Sequence, residues 1–372
     1  MDTFDLTYLT IDSISEGVGS SQILPVITLL AESGLKINLV SFENKPTPPE
    51  IENRLKNSGI VWTRNETKLS GPLDYLSKIL ILSRNVQKSR VLHARSDLPA
   101  IAAHLSKEAP FLWDVRSLWA DQKAFMESNS LKRSLFEQLT ILEKISFSSS
   151  AAISTLTSSV VPILEARYGP IEKPQIIVPT VVDLTKFQIA KQVGTGIRGL
   201  YSGTYNNFYD LELSYKLVES MKSIANVEVS WARPEESLRK SLNAGEDKVF
   251  SVNPSHIHQV IQEFHFGISV CKLNAGPSAL AAVPTKIAEF LASGKPVVVS
   301  QGLGDLDEQL AEFNAGISLT GKPGDVEYKA TRLLELLQDP DTALRCRALA
   351  EKYFDVRAGV KKYQWVYTQI QN

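Results

Sequence analysis

Only two of the 372 residues are cysteine, Cys271 and Cys346. They allow at most one disulfide and no thiolate metal cluster, a usage that suits a reducing compartment. Neither sign of charge is in excess: 40 Lys and Arg stand against 41 Asp and Glu, for a net charge of −1. A chain so balanced carries no global basic field for nucleic acid. Long apolar runs are missing too, and none approaches the length of a membrane-spanning helix. The opening Met1-Asp2-Thr3-Phe4-Asp5 is acidic and leads straight into a strand-like Leu6–Ile11. It has neither the basic region nor the apolar stretch of a signal peptide. The expectation is a soluble, cytoplasmic protein. Five histidines, His93, His104, His256, His258 and His265, show no zinc spacing on a shared helix, so no metal site is expected.

What is present is ordinary globular material, 43% apolar and 22% charged, in a chain too long for one core. Strand-like runs alternate with amphipathic stretches throughout. In the first half they are Asp5–Ile11, Ile37–Phe42, Ile60–Trp62, Val91–Ala94, Phe111–Asp114, Ala151–Ser154 and Gln175–Val178. Between them lie amphipathic stretches such as Ser20–Ser33 and Leu131–Phe147. The second half continues with Gly199–Ser202, Val227–Trp231, Val249–Ser251, Phe266–Val270, Pro296–Ser300 and Gly316–Leu319. Such alternation implies α/β architecture, parallel sheets with helices on both faces. A linker-like composition around Phe187–Arg198, with Lys191, Gly194, Thr195 and Gly196, divides the chain into two tandem doubly wound Rossmann-like domains, 1–190 and 191–355. Ligands in such sheets sit at the C-terminal strand ends, so the expected site is a cleft between two such edges.

The most informative stretch is Pro284–Val299. Pro284 suits a helix start, Ile287, Phe290 and Leu291 make one apolar face, and Gly294 with Pro296 ends the helix before a buried strand. Lys286 and Glu289 share the other face near the positive end of the helix dipole. There a lysine holds a phosphate, and a carboxylate one turn later accepts hydrogen bonds from a ribose. The bland alternative is a solvated Lys–Glu pair. Four loops fall at strand ends. Gly17 and Gly19, followed by Ser20, allow close backbone approach to a ligand, although Gln22 occupies the third glycine position of a dinucleotide fingerprint. His93-Ala94-Arg95-Ser96-Asp97 and Trp113–Gln122 follow, the latter with Asp114, Arg116, Asp121, Trp113 and Trp119 close together. That chemistry suits sugar hydroxyls and phosphate, or an arginine that braces the fold. The fourth loop, Leu200–Tyr209, offers Ser202 and Gly203 as phosphate donors and a cluster of aromatics.

These residues carry a resemblance. Pro-Thr-Lys-Ile-Ala-Glu-Phe-Leu-Ala-Ser-Gly-Lys-Pro-Val-Val at 284–298 closely resembles the donor-binding helix and strand of glycosyltransferase family four, retaining enzymes of the GT-B fold. Val178–Phe187 is similar to the family's interdomain segment. Asp114–Asp121 and His93–Ser96 resemble stretches of one bacterial branch, as does the Ser202-Gly203-Thr204 turn; Gly302-Leu303-Gly304-Asp305 resembles a glycine–aspartate loop. The sequence departs from the pattern where Ala281 replaces the first of two glutamates, and where no basic pair follows Ser202-Gly203. Ser117, Gln122 and Thr180 are further departures. Asp305-Leu306-Asp307 and Asp339-Pro340-Asp341 spell the metal-binding aspartate pair of GT-A enzymes, but lie in the glycine–aspartate turn and at a helix end.

The resemblance implies metal-independent transfer of a sugar from a UDP- or GDP-linked donor to a hydroxyl acceptor, with retention. No separate cofactor is implied. The acceptor would be a glycan, a lipid-linked molecule or a small molecule, in bacterial surface polysaccharide or glycan synthesis, with room for peripheral contact at the inner face of a membrane. His93, Arg95, Arg116 and Asp121 would orient the reacting groups. Gly17, Gly19, Ser20, Ser202, Gly203, Pro284, Thr285, Lys286 and Glu289 would bind the donor. The family's final helix crosses back to the first domain, which gives the stripe Tyr363, Val366, Tyr367 and Ile370 a place to bury itself. A sugar-nucleotide epimerase of the same fold, or a catalytically silent nucleotide-sugar-binding homologue, remains the alternative.

Overall fold

The computed structural model describes residues 3–67, 69, 71–189, 196–202, 206–232, 248–250, 252 and 256–371. They form two compact units, Met1–Pro179 with Val356–Asn372, and Thr180–Asp355.

Unit 1 is built on seven parallel strands: β1 (Phe4–Leu9), β2 (Ile37–Phe42), β3 (Val61–Asn65), β4 (Ser89–Arg95), β5 (Phe111–Val115), β6 (Ala152–Thr155) and β7 (Gln175–Ile177). Their order is 3-2-1-4-5-6-7. Strands β2, β5 and β6 are buried at every position, which is why they read as near-continuous apolar runs. The order reverses between β1 and β4, where Tyr8 pairs with His93, and on the next strand Arg95 pairs with Asp114. That register carries His93, Arg95 and Asp114 to the C-terminal edge at the switch point, the position where doubly wound sheets hold ligands.

The amphipathic stretch after β1 opens as a π-helical turn, Gly19–Ile23, before the regular helix Leu24–Glu32. The single helix expected over Leu131–Phe147 is two, Ser130–Gln138 and Thr140–Ser149. At the join the Thr140 hydroxyl donates to the Glu137 carbonyl at 2.9 Å and the Leu139 amide to Phe136 at 3.0 Å, which tightens the turn. The closing helix Val356–Ile370 buries Tyr363, Val366, Tyr367 and Ile370 in this unit. Its polar side is tied by Gln364 to the Ser33 hydroxyl and by Lys362 to the Ile177 carbonyl.

Unit 2 repeats the plan with β8 (Ile197–Ser202), β9 (Val227–Ala232), β10 (Lys248–Phe250), β11 (Phe266–Ser269), β12 (Val297–Ser300) and β13 (Gly316–Leu319). The order is 10-9-8-11-12-13, all parallel, with the reversal between β8 and β11. One face is packed by Tyr201, Leu217, Met221, Trp231, Phe266 and Leu333. The helix Thr285–Ala292 lies so close to the sheet that a Cβ at Gly267 would meet the Phe290 ring at 2.1 Å, so only glycine fits there. Gly294, at φ +71°, turns the chain from that helix into β12.

Candidate functional site

At the edge of unit 1 the sequence-predicted residues His93, Arg95 and Arg116 form one buried cluster around Asp114, which is fully buried. His93 Nε2 lies 3.2 Å from Asp114 Oδ2, and Nδ1 lies 2.6 Å from the Tyr367 hydroxyl. Tyr8 packs against the imidazole with ring centroids 4.2 Å apart. Burial alone would raise the Asp114 carboxyl. Arg116, the His93 hydrogen bond and Arg95 outweigh it and hold the group well below the usual carboxylate range. Burial pushes the His93 pKa down. A neutral imidazole beside an ionised carboxylate carries its proton on Nε2, leaving Nδ1 to accept from the Tyr367 hydroxyl. With both ring nitrogens engaged, His93 orients Asp114 and is not placed to take a proton from a substrate.

Arg95 donates from Nε to Asp12 at 3.1 Å and from a terminal nitrogen to Gln22 Oε1 at 2.8 Å. Arg116 reaches the same Gln22 oxygen at 3.1 Å, the Val178 carbonyl at 3.3 Å and the Tyr363 hydroxyl at 3.4 Å. Gln22, which breaks the dinucleotide fingerprint, therefore joins two guanidinium groups through one oxygen. Its role was not legible in the sequence, and neither were the polar roles of Tyr363 and Tyr367, which there read only as an apolar stripe.

The glycine loop is built against its own backbone. A Cβ at Gly19 would meet the Ser13 carbonyl oxygen at 1.8 Å, so the bareness of Gly19 is used inside the loop. Gly17 adopts φ +57° with open space beside it, and the Ser20 hydroxyl donates to the Gly17 carbonyl. Buried Glu43, another residue the sequence did not flag, holds the loop from the end of β2. It accepts from the Ser13 and Ser15 hydroxyls at 2.6 and 2.7 Å and from the Ile14 amide at 2.8 Å.

Asp121 is not part of the His93 cluster. It forms a bidentate pair with Arg167 at 2.7 and 2.8 Å, and Arg167 also meets buried Glu143 at 3.0 Å. Asp97, whose Oδ1 accepts from the Trp113 indole at 3.1 Å, is coupled to Glu143; burial and that neighbour push its pKa up to about 8.

At the edge of unit 2, Lys286 is 7% exposed, which removes the solvated-pair reading. Its ammonium lies 4.4 Å from the Tyr201 ring centre and 4.0 Å from that of Tyr209, and makes no hydrogen bond to any described residue. Burial lowers its pKa to about 8 and raises that of half-buried Glu289 to about 7. Pro284 caps the helix, no side chain closes its N-terminus, and Thr285 follows as its first residue. The Thr180 hydroxyl donates to the Val283 carbonyl at 2.6 Å and so fixes the entry to this helix. Ser202 ends β8, buried; Gly203 lies outside the described residues. Gly302 and Gly304, at φ +75° and +55°, carry the loop after β12, and Asp307 accepts from the Gly302 amide at 2.7 Å. Ala281 is buried, without the carboxylate of the family pattern. Among the described residues no group of three or more His, Cys, Asp or Glu is placed to hold a metal ion, and no helix is long and apolar enough to cross a membrane.

No protein-family model matches the sequence, and no curated protein matches it. Solved structures do. The chain is similar to sucrose-phosphate synthase from Thermosynechococcus elongatus, 14% identical, over 98% of both chains at a TM-score of 0.71. It is similar to HepE from Anabaena in complex with UDP and glucose, 12% identical, over 98% of this chain and 99% of that one at 0.72. A glycosyltransferase from Rickettsia africae, 15% identical, matches over 100% and 99% at 0.69. These structural neighbours are GT-B glycosyltransferases, and this chain has the GT-B fold.

Proposed function

We propose that the protein is a retaining glycosyltransferase that moves a sugar from a UDP- or GDP-linked donor to a hydroxyl acceptor. The observation that carries the reading is Lys286, a buried ammonium without a hydrogen-bond partner at the start of an open helix. A buried cation left in that state needs an anion to complete it, and the helix N-terminus beside it adds a favourable dipole. A diphosphate meets both demands, and Glu289 one turn on accepts from the ribose hydroxyls. Ser202, Gly203, Pro284 and Thr285 complete the donor contacts of unit 2. Neighbours of the same fold were solved with UDP and with UDP-glucose, which supports the uridine form.

In unit 1, Gly17, with open space beside it, and Ser20 offer backbone to a sugar at the sheet edge, while Gly19 packs inside the loop. Arg95 and Arg116 supply the cationic wall, held in one geometry by Gln22, Asp12 and Asp114. His93 and Asp121 act through others: His93 orients Asp114, and Asp121 holds Arg167. The leaving diphosphate takes its stabilisation from Lys286 and backbone amides, the departing phosphate accepts the acceptor proton, and the sugar keeps its configuration. The resemblance of Asp114–Asp121 to a bacterial branch supports an acceptor in surface polysaccharide or glycan synthesis. Peripheral contact with an anionic membrane belongs to the same reading. It rests on Leu73, Leu76 and Leu80, exposed along one face of the helix Pro72–Asn85 with Arg84, and sedimentation with phosphatidylglycerol vesicles tests it.

The deciding experiment is a hydrolysis screen across UDP-, GDP-, ADP- and dTDP-sugars with detection of released nucleotide. Release from a UDP- or GDP-sugar that accelerates with a hydroxyl acceptor supports the reading. Conversion of the donor sugar without nucleotide release would make the protein an epimerase. Nucleotide binding in calorimetry with neither release nor conversion of any donor would make it a silent homologue, and failure of every nucleotide to bind would refute the donor site.

A further inference from the structure

The N-terminal edge of the unit 2 sheet, opposite Lys286, gathers charge of one sign. Gly199 pairs with Phe266 and Gly267 with Val297. Carried back along the three strands, this register places Arg198, His265 and Lys295 in one row at the entries to β8, β11 and β12. The backbone confirms the first contact: the His265 amide donates to the Arg198 carbonyl at 2.7 Å, and the Arg198 amide donates to His265 Nδ1 at 3.0 Å. An Nδ1 that accepts leaves the proton on Nε2, a donor with no partner among the described residues. Lys295 is 2% exposed and His265 8%, and the Lys295 ammonium makes neither hydrogen bond nor ion pair with any described residue.

Like charges gathered at one edge repel, and among the described residues no carboxylate forms an ion pair with half-buried Arg198, His265 or Lys295. Glu228, the row's neighbour on β9 beside Arg198, is exposed and forms no ion pair with it. The helix Thr342–Tyr353 covers the other flank, with the buried Cys346 thiol against Lys295 and with Arg345 paired to Asp339. Burial first, then Arg198, pushes the Lys295 pKa down to about 8, and burial, Lys295 and Arg198 all lower that of His265. An uncompensated cluster of this kind is costly in an empty fold.

We propose that Arg198, His265 and Lys295 form a second anion site, which takes a free oxyanion of inorganic-phosphate size. The three side chains bring three different donors: a planar guanidinium, a single imidazole N–H and a point-charge ammonium. A tetrahedral oxyanion engages all three at once, whereas chloride offers a single centre. The depth of Lys295 excludes anything bulky, such as a lipid surface. The site is independent of glycosyl transfer, because none of its residues belongs to the donor edge.

The test is proton–carbon NMR of the His265 ring in the full chain, assigned with His265→Gln. Inorganic phosphate is titrated at ionic strength held constant with sodium chloride. The expected result is a saturable shift of the His265 signal and a raised imidazole pKa in the bound state. Lys295→Met and Arg198→Gln should each weaken phosphate at least about tenfold, the loss of one hydrogen bond to a charged group. Lys295→Arg, which keeps the charge, should retain the response, and Lys286→Ala should leave it unchanged. A His265 signal that ignores phosphate, that moves equally with chloride, or that responds as strongly in folded Lys295→Met overturns the proposal. If Lys286→Ala abolishes the shift, the phosphate is acting from the donor edge and the second site does not exist.

Discussion

Replacing Lys286 with methionine should make the free protein more stable and its nucleotide complex weaker. Methionine keeps an unbranched stem between Tyr201 and Tyr209 and removes the charge. Burial takes the ammonium from an ordinary pKa of 10.5 to about 8, a cost of roughly 3 kcal/mol at neutral pH. Two ring contacts, at 4.4 and 4.0 Å, return about 0.5–1 kcal/mol each. Burial wins, and Lys286→Met should gain about 1–2 kcal/mol in the absence of ligand. Nucleoside diphosphate should bind about 1.5–3 kcal/mol more weakly, as for a lost hydrogen bond to a charged group. The sign with pH follows from the lowered pKa. The native state sheds its proton before the unfolded chain does, so this lysine adds stability as pH rises from about 8 to 10.5 and loses it again as pH falls through 8. The advantage of the variant should therefore shrink across that window. Urea titrations at neutral and alkaline pH measure the first effect and calorimetry with UDP the second. A variant destabilised at neutral pH, or one that binds UDP as well as the parent, would refute the view of Lys286 as an uncompensated cation awaiting an anion.

Three further outcomes are expected. Arg116→Lys keeps the charge but loses the planar fork shared among Gln22, Tyr363 and Val178; activity and melting temperature should fall together, and an unchanged melting temperature would show that the fork does not hold this cluster. Tyr367→Phe leaves His93 Nδ1 buried without its 2.6 Å partner and should cost about 1–3 kcal/mol by denaturant titration; a neutral effect would mean that a water replaces the hydroxyl. Asp97, raised to about 8 in the fold, withdraws stability as pH rises from its unfolded value towards 8. Asp97→Asn should gain on the parent progressively in thermal melts across that range, and parallel curves would refute the assignment.

The strands were legible because parallel strands buried on both faces must be almost wholly apolar. Ile37–Phe42, buried at every position, coincides with the run read from sequence. The helix after Pro284 was legible from its apolar spacing and its glycine stop. Its lysine was ambiguous, because a charge on the polar face of a helix has the same periodicity whether water or another part of the protein covers it. Tyr201 and Tyr209, far away in sequence, remove that water. Asp121 shows the converse: seven residues from Asp114 in what read as a charged loop, it is drawn away by Arg167, which pairs with it from the helix Val161–Tyr168.

The sequence by itself determined the local alternation of strand and helix, the glycines and prolines that end each element, and the balance of charge, since these are properties of neighbouring residues and of the chain's sum. Tertiary structure alone decided which charges are compensated. Asp114 lies within reach of His93, Arg95 and Arg116, while the buried Lys286 ammonium is left without a hydrogen-bond partner among the described residues. Strand order and register made that decision, because they set which side chains share an edge, and burial then fixed how much each unpaired charge costs.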